Sequence, residues 1–379
     1  MKPNDDIFVR RLNSYLDTST HVDVRKNQLE ITHSFGFFSN CSWTLLALTR
    51  IYPSERYVKV NWPCQDQWRN DDQVGKNLFD LYFHPNSDLD PRALENLSPF
   101  NYHGVYRDLR FDKLTPYIGN YFAPSEIVTK KLDELVRKYE IDFNNTLGLW
   151  YRGTDKFTEL VPVPPRYYVA EVRRLLRKNP RLRVLLQTDQ EQVRDIFVKE
   201  LGERAFYFSE LPVTKSSIGI HNISRDDRGI SNFEFGITLL AVANIFAKCR
   251  YVVTHTGNVS LWIYLYRGTA RDTFQLKPRL PNLISQYEDE TGIPSERTRD
   301  NVYASSLEEE IYELRSENIN LRCELSAITT SFMYRCMKFL STKIDRHFPD
   351  NTLRGEVRKS TTQALRRNKH HRCLCEKLD

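Results

Sequence analysis

Three short polar clusters carry the residue types that hold phosphorylated ligands: Arg152-Gly-Thr-Asp-Lys156, Gln187-Thr-Asp189 and Thr254-His-Thr-Gly-Asn258. Arg152 offers a two-pronged guanidinium for phosphate oxygens, and Gly153 beside it permits close approach of a ligand to the backbone. Thr256, Gly257 and Asn258 stand where the first turn of a helix would present amide N–H groups to an anion. Asp189 and Asp155 can accept hydrogen bonds from a base or a ribose. As a set these types suit a nucleoside diphosphate. Each cluster also has a plainer use. The Arg-Gly-Thr-Asp run can be a strand-end turn closed by an Arg–Asp pair, Asp189 can be a helix N-cap, and 254–258 can be a capped turn.

The elements around the clusters give them joint weight. Leu147 to Tyr151, Leu182 to Leu186, Ala205 to Phe208, Arg250 to Val253 and Thr273 to Leu276 read as short apolar strands. Between them, Arg166 to Lys178, Glu191 to Leu201, Phe233 to Ala247 and Val259 to Tyr266 have helical spacing of apolar residues. This alternation predicts right-handed βαβ units and a parallel sheet. In such sheets ligands bind outside the carboxyl ends of the strands. All three clusters fall at strand ends of that kind.

Upstream, Gln28 to Thr32 and Tyr57 to Asn61 read as strands flanking a helix over Ser42 to Tyr52, with a turn at Gly36 to Asn40. That is one further βαβ unit and predicts a second Rossmann-like half. The Asp-, Asn-, Pro- and Tyr-rich stretch from Cys64 to Pro124 gives no ordered pattern.

Composition narrows the class. With 379 residues, 40% hydrophobic and 27% charged, the chain is long enough for two core-bearing domains and an appendage. The most apolar helix, Phe235 to Ala247, lies between Glu234 and Lys248 and falls short of the roughly 20 residues of a spanning helix. The first thirty residues are studded with charges and have no h-region. Five of the seven cysteines (Cys41, Cys64, Cys249, Cys323 and Cys336) stand singly, and the count is odd, which argues against a secreted disulfide framework. The expected location is cytoplasmic. The net charge of +6 is modest and partly in the tail, and the core lacks the basic stripes and interleaved aromatics of a nucleic-acid binder. Asp88-Leu-Asp90, a Pro-bounded Asp-x-Asp away from the clusters, reads as a solvated turn, so no metal is expected.

After residue 300 the pattern changes. Leu307, Ile311, Leu314, Asn318, Leu321, Leu325 and Ile328 form an a/d seam with an Asn in an a position, predicting a dimeric coiled coil over 307–332 or a docked amphipathic helix. Phe332 to Phe348 mixes large apolar residues with Arg335, Lys338, Lys343 and Arg346. It suits either a peripheral contact of 332–372 with the anionic inner membrane face or a continuation of the stalk. His370-His-Arg-Cys-Leu-Cys375 lacks finger spacing and reads as tail.

Trp150-Tyr-Arg-Gly-Thr-Asp-Lys156 resembles the His-Val-Arg-Arg-Thr-Asp-Lys motif of α1,6-fucosyltransferases, and is similar to segments of nodulation and protein O-fucosyltransferases. Val184-Leu-Leu-Gln-Thr-Asp189 resembles the second motif of that GDP-fucose superfamily. Phe235 to Trp262, with Ala247 to Ser260 at its centre, resembles the third, and Gly36 to Asn40 echoes its Gly-rich first turn. The resemblance covers about residues 145 to 270.

What it implies is an α/β, GT-B-like fold of two Rossmann-like domains, an acceptor half over 1–125 and a nucleotide-sugar half over 126–300, with 301–379 as a coiled-coil extension. It implies an inverting glycosyltransferase that uses GDP-fucose without metal or other cofactor and acts on a glycan or glycoconjugate. Arg152 would grip the diphosphate, Lys156 and Asp155 belong to the same motif, and Asp189, Thr254, Thr256, Gly257 and Asn258 would contact the donor. Gly36 and Asn40 are acceptor-side candidates. Trp150 stands where the family has histidine, Gly153 replaces its second arginine, and Glu159 lies one position from the family's candidate base. A GT-B transferase for another nucleotide sugar, and a non-catalytic transferase-like scaffold, are the alternatives.

Overall fold

The computed structural model describes residues 20–23, 27–33, 35–52, 57–97, 100, 104–154, 162–216, 218–277 and 283–292. All of them fall within one compact unit of the chain. The coiled-coil, basic-tail and His/Cys expectations for residues beyond 300, and Asp155, Lys156 and Glu159, lie outside the described residues.

The first elements are β1 (Thr20–Asp23), β2 (Gln28–Ile31), helix α1 (Phe37–Ile51) and β3 (Lys59–Asn61). β2 and β3 pair in parallel with α1 between them, the expected βαβ unit. β1, which the sequence pattern did not reveal, pairs antiparallel with β2. The Gly36–Asn40 segment is not a separate turn: Gly36 is the N-cap and α1 begins at Phe37. Phe37, Phe38 and Cys41 continue the apolar face of the helix, and all are buried. The unread stretch that follows contains the short α2 (Leu78–Tyr82) and α3 (Phe111–Tyr121), and α4 (Glu126–Lys138) comes after it.

The second sheet then forms from β4 (Thr146–Trp150), α5 (Pro165–Lys178), β5 (Arg183–Gln187), α6 (Glu191–Leu201) and β6 (Ala205–Tyr207). It continues with the one-turn α7 (Arg225–Arg228), α8 (Asn232–Lys248), β7 (Tyr251–Thr254), α9 (Asn258–Arg267) and β8 (Thr273–Gln275), and α10 (Leu283–Thr291) closes the described chain. Its order is β6-β5-β4-β7-β8, with every neighbouring pair parallel. The chain winds outward from β4 in one direction and then restarts at β7 on β4's other side. The topological switch point, where the flanking loops diverge and leave a crevice, therefore lies between β4 and β7.

Every residue of β4 is buried, as a central parallel strand covered on both faces requires. Leu147, Leu149 and Tyr151 face a core shared with Tyr168 and Val172 of α5 and with Val193 and Phe197 of α6. Trp150 faces the opposite core with Phe246 of α8, Leu261 of α9 and Phe38 of α1. A Cβ on Gly148 would come within 2.7 Å of the Phe246 ring, so the glycine lets α8 lie against the sheet. The second core also takes in β2, α1, α3 and α4, and so crosses residue 125. Each buried Leu, Ile or Phe in it contributes about 1.5–3 kcal/mol by removal from water. Among the described residues no helix is long and apolar enough to cross a membrane.

Candidate functional site

The chain leaves β4 through Tyr151, whose N–H still donates to the Gln187 carbonyl at 2.9 Å, and then turns. At the turn Gly153 N–H donates to Asp189 Oδ1 at 2.8 Å and the Thr154 hydroxyl donates to Asp189 Oδ2 at 2.7 Å. Arg152 Nε lies 3.6 Å from the same Oδ2. One carboxylate at the end of β5 thus organises the turn at the end of β4. Asp189 is not the N-cap of α6; Gln190 occupies that position, with no side-chain cap. Each of its oxygens already accepts one hydrogen bond from the β4 turn, and each has a second lone pair for another donor. Thr154 is held at φ +43°, a conformation that β-branched residues rarely adopt, by that bond to Asp189.

Gly153 has a reason of its own. A Cβ there would stand 1.8 Å from Gln190 Oε1, and Gln190 is fully buried with that oxygen accepting from the Tyr287 hydroxyl at 2.9 Å. The glycine is demanded by Gln190 as much as by any ligand. Burial holds the Tyr287 phenol up at about 12, so it stays protonated and keeps donating.

The β7 turn is built differently. Thr254 is fully buried, and its carbonyl accepts from Leu276 N–H at 2.7 Å. Thr256 Oγ1 accepts from Gln275 Nε2 at 2.8 Å, and the same amide reaches the Gly104 carbonyl at 3.0 Å. Gly257 N–H donates to the Tyr106 hydroxyl at 2.7 Å, and that hydroxyl donates back to the Gly257 carbonyl at 2.9 Å. Asn258 Oδ1 lies 2.9 Å from the Ser42 hydroxyl, whose one proton it shares with the Phe38 carbonyl at 2.8 Å, and Ser42 in turn accepts from Trp262 Nε1 at 2.9 Å. The expected row of amides open to an anion therefore loses Gly257 N–H to a tyrosine. What remains for an anion is the end of α9 itself, whose first amides have no partner within the helix.

Between β5 and β6, beside the Asp189 turn, lies a cavity of about 270 Å³ lined by Gln187, Thr188, Arg194, Tyr207, Leu211 and Pro212 among others. Gln187 pairs in register with Trp150, so the cavity opens one strand away from Arg152. Gln187 is only 4% exposed, and its Oε1 has no hydrogen-bond partner, while its Nε2 points toward the Thr188 carbonyl at 3.4 Å. Exchanging the two amide atoms would set oxygen against oxygen, so the acceptor is the unpaired end. Such an acceptor costs about 1–3 kcal/mol if left unpaired, so water or a ligand in the cavity is expected to donate to it. Arg194 stacks over Tyr207 at 5.4 Å and is held by Glu191 and Asp195 at 3.2 and 2.9 Å.

On the α1 side, Asn40 is fully buried and bonds both the N–H and the carbonyl of Phe35, at 3.1 and 3.2 Å. Its role is to hold the loop after β2, and its side chain has no access to an acceptor. Gly36 caps α1, as described. Gln187, Gln190, Tyr106, Ser42 and Gln275 were not among the expected site residues. Gln187 alone lay inside a motif. The others act through partners far away in sequence, which no spacing rule discloses.

No protein-family profile matches the chain, and no curated protein matches it. Two solved structures of NodZ alpha-1,6-fucosyltransferase, one soaked with GDP-fucose and one co-crystallised with GDP, overlap it with TM-scores of 0.39 and 0.36 at 16% identity. The first overlap covers 66% of this chain and 94% of the other, the second 62% and 89%. Overlap this loose assigns neither activity nor substrate.

Proposed function

We propose that the chain is an inverting glycosyltransferase that moves fucose from GDP-fucose to a glycan or glycoconjugate hydroxyl without a metal. The observation that carries this reading is the arrangement at the switch point: Arg152, its Nε in an ion pair with Asp189 at 3.6 Å, stands at the end of β4, and the N-terminus of α9 follows the adjacent strand β7. When the bond from the sugar's anomeric carbon to the diphosphate breaks, negative charge grows on the phosphate oxygens. A fixed guanidinium and the partial positive charge of a helix end stabilise it there. The Gln187 cavity supports a base on the same ligand, since a heterocycle with an N–H would meet the unpaired Gln187 Oε1 in its lining. Lys156 and Asp155 would complete the phosphate turn, and Glu159 would take the acceptor's proton.

Trp150 favours a second reading, transfer from another nucleotide sugar. It stands where the resembled motif has histidine, and its indole is buried edge-on against Phe246 with ring centroids 5.0 Å apart. A core-packed indole there would leave a donor without the polar ring of the resembled motif.

Turnover separates these readings. GDP release from GDP-fucose, with UDP-sugars in parallel, is expected for the wild type in the presence of a glycan mixture and is expected to fall at least tenfold in Arg152→Ala, the loss of one charge-assisted phosphate contact. Release from UDP-sugars alone would favour the second reading. No nucleotide release and no nucleotide binding would leave a scaffold.

A further inference from the structure

We propose that the loop after β2, with Phe35 at its tip and His33 and Trp43 beside it, is an aromatic platform for a sugar ring of the acceptor; this rests on the glycosyl-transfer reading above. Phe35 is 61% exposed. A scattered surface phenyl ordinarily needs no explanation, but this one is held out by construction. Its N–H donates to Asn40 Oδ1, and its carbonyl accepts from Asn40 Nδ2 at 3.2 Å, from Trp68 Nε1 at 2.8 Å and from Gln67 Nε2. With both backbone groups pinned, the loop is fixed with its ring toward solvent. The His33 ring lies 4.3 Å from that of Phe35 at 40°, and the buried Trp43 ring, 4.9 Å from that of His33 at 49°, backs the two from within the core, making a short aromatic row whose exposed end is Phe35. The row also has polar atoms: His33 Nε2 and Ser39 Oγ are 3.1 Å apart.

Position points this row toward transfer chemistry. Trp68, which donates to the Phe35 carbonyl, stacks on Phe235 in the first turn of α8 at 5.6 Å and on His221 in the loop after β6 at 6.4 Å. Because α8 runs back antiparallel to the strands, its first turn lies at their carboxyl ends, as does the β6 loop. The aromatic row therefore stands on the sheet's ligand side. A pyranose has one face of C–H groups and a rim of hydroxyls. The C–H face covers a phenyl ring, and the rim hydroxyls meet groups such as Ser39 and His33.

The test is saturation-transfer NMR with chitotetraose, cellotetraose, maltotetraose and mannotetraose, each with GDP present, on the wild type, Phe35→Ala and Phe35→Tyr. At least one tetrasaccharide is expected to receive saturation on its ring C–H protons, with affinity about tenfold lower in Phe35→Ala, as for loss of one stacked aromatic face, and retained in Phe35→Tyr. Absence of transfer to every sugar, or equal transfer in Phe35→Ala, would overturn the platform. GDP titrations of the same proteins keep the two readings apart. GDP binding without a Phe35-dependent sugar leaves the donor site standing alone, and a Phe35-dependent sugar without GDP binding leaves the platform standing alone.

Discussion

The turns that leave β4 and β7 are neighbours at the same end of one sheet, rich in the same residue types, and they are held in opposite ways. The β4 turn is gathered by a single carboxylate from the next strand: Asp189 takes Gly153 N–H, the Thr154 hydroxyl and the Arg152 guanidinium. The β7 turn is gathered by the N-terminal part of the chain. Tyr106 takes both backbone groups of Gly257, and Ser42 takes Asn258. The first arrangement fixes a cation at the crevice, while the second fastens the two sheets to each other. A strand-end cluster of Thr, Gly and Asn can therefore be a clamp between parts of the protein even where its composition suits a ligand.

Substitutions can break this contrast. The largest structural effect is expected from Gly153→Ala, since the new methyl would lie 1.8 Å from an oxygen of the fully buried Gln190. Thermal or urea unfolding should show a loss of about 3 kcal/mol, the upper part of the overpacking range, and GDP affinity should fall with it. An unchanged midpoint would mean that the turn has room, and that the glycine serves the ligand alone. Tyr106→Phe should cost less, about 1–2 kcal/mol of stability for the two bonds to Gly257, and should leave GDP affinity nearly unchanged if that turn is a brace.

A further effect concerns pH. Burial lowers the His33 imidazole from 6.5 to about 3, so the folded protein keeps it neutral while the unfolded chain protonates near 6.5. The unfolded state then binds the extra proton between those values, and stability falls as pH drops from 7 toward 4. Denaturant midpoints at pH 7 and pH 5 should differ in that sense for the wild type, and the difference should shrink in His33→Phe. A midpoint that rises on acidification would contradict the burial argument.

Legibility followed the range of the interactions. Apart from the one-turn α7, which falls in a polar stretch that reads as loop, each strand and helix from β4 to β8 was readable within a residue or two, because apolar period and strand length are local properties. In residues 64–124 short helices such as Leu78–Tyr82 owe their place to buried rings rather than to amphipathic spacing. Phe79, for example, packs against Trp62, Phe83 and Phe122. Phe111–Tyr121, whose buried Leu114, Tyr117, Ile118 and Tyr121 do follow helical spacing, carries Pro116 in its interior, which reads as a break. The start of α1 was misread because a glycine followed by two phenylalanines looks like a turn; the buried Asn40, reaching back to Phe35, brings that segment into the helix. At the site, Arg152 and Asp189 could be singled out by type and strand-end position. That they pair with each other, and that Tyr106 lies on Gly257 from 151 residues away, could not.

The most direct test is a calorimetric titration of GDP into the wild type, Arg152→Ala and Asn258→Ala. If the β4 turn grips the diphosphate and the Asn258 side chain only ties α9 to Ser42, Arg152→Ala should lose about 2–3 kcal/mol of binding, tens- to hundredfold in affinity, while Asn258→Ala should stay within a few-fold of the wild type. Full GDP affinity in Arg152→Ala, or a larger loss in Asn258→Ala, would contradict this assignment of the two turns.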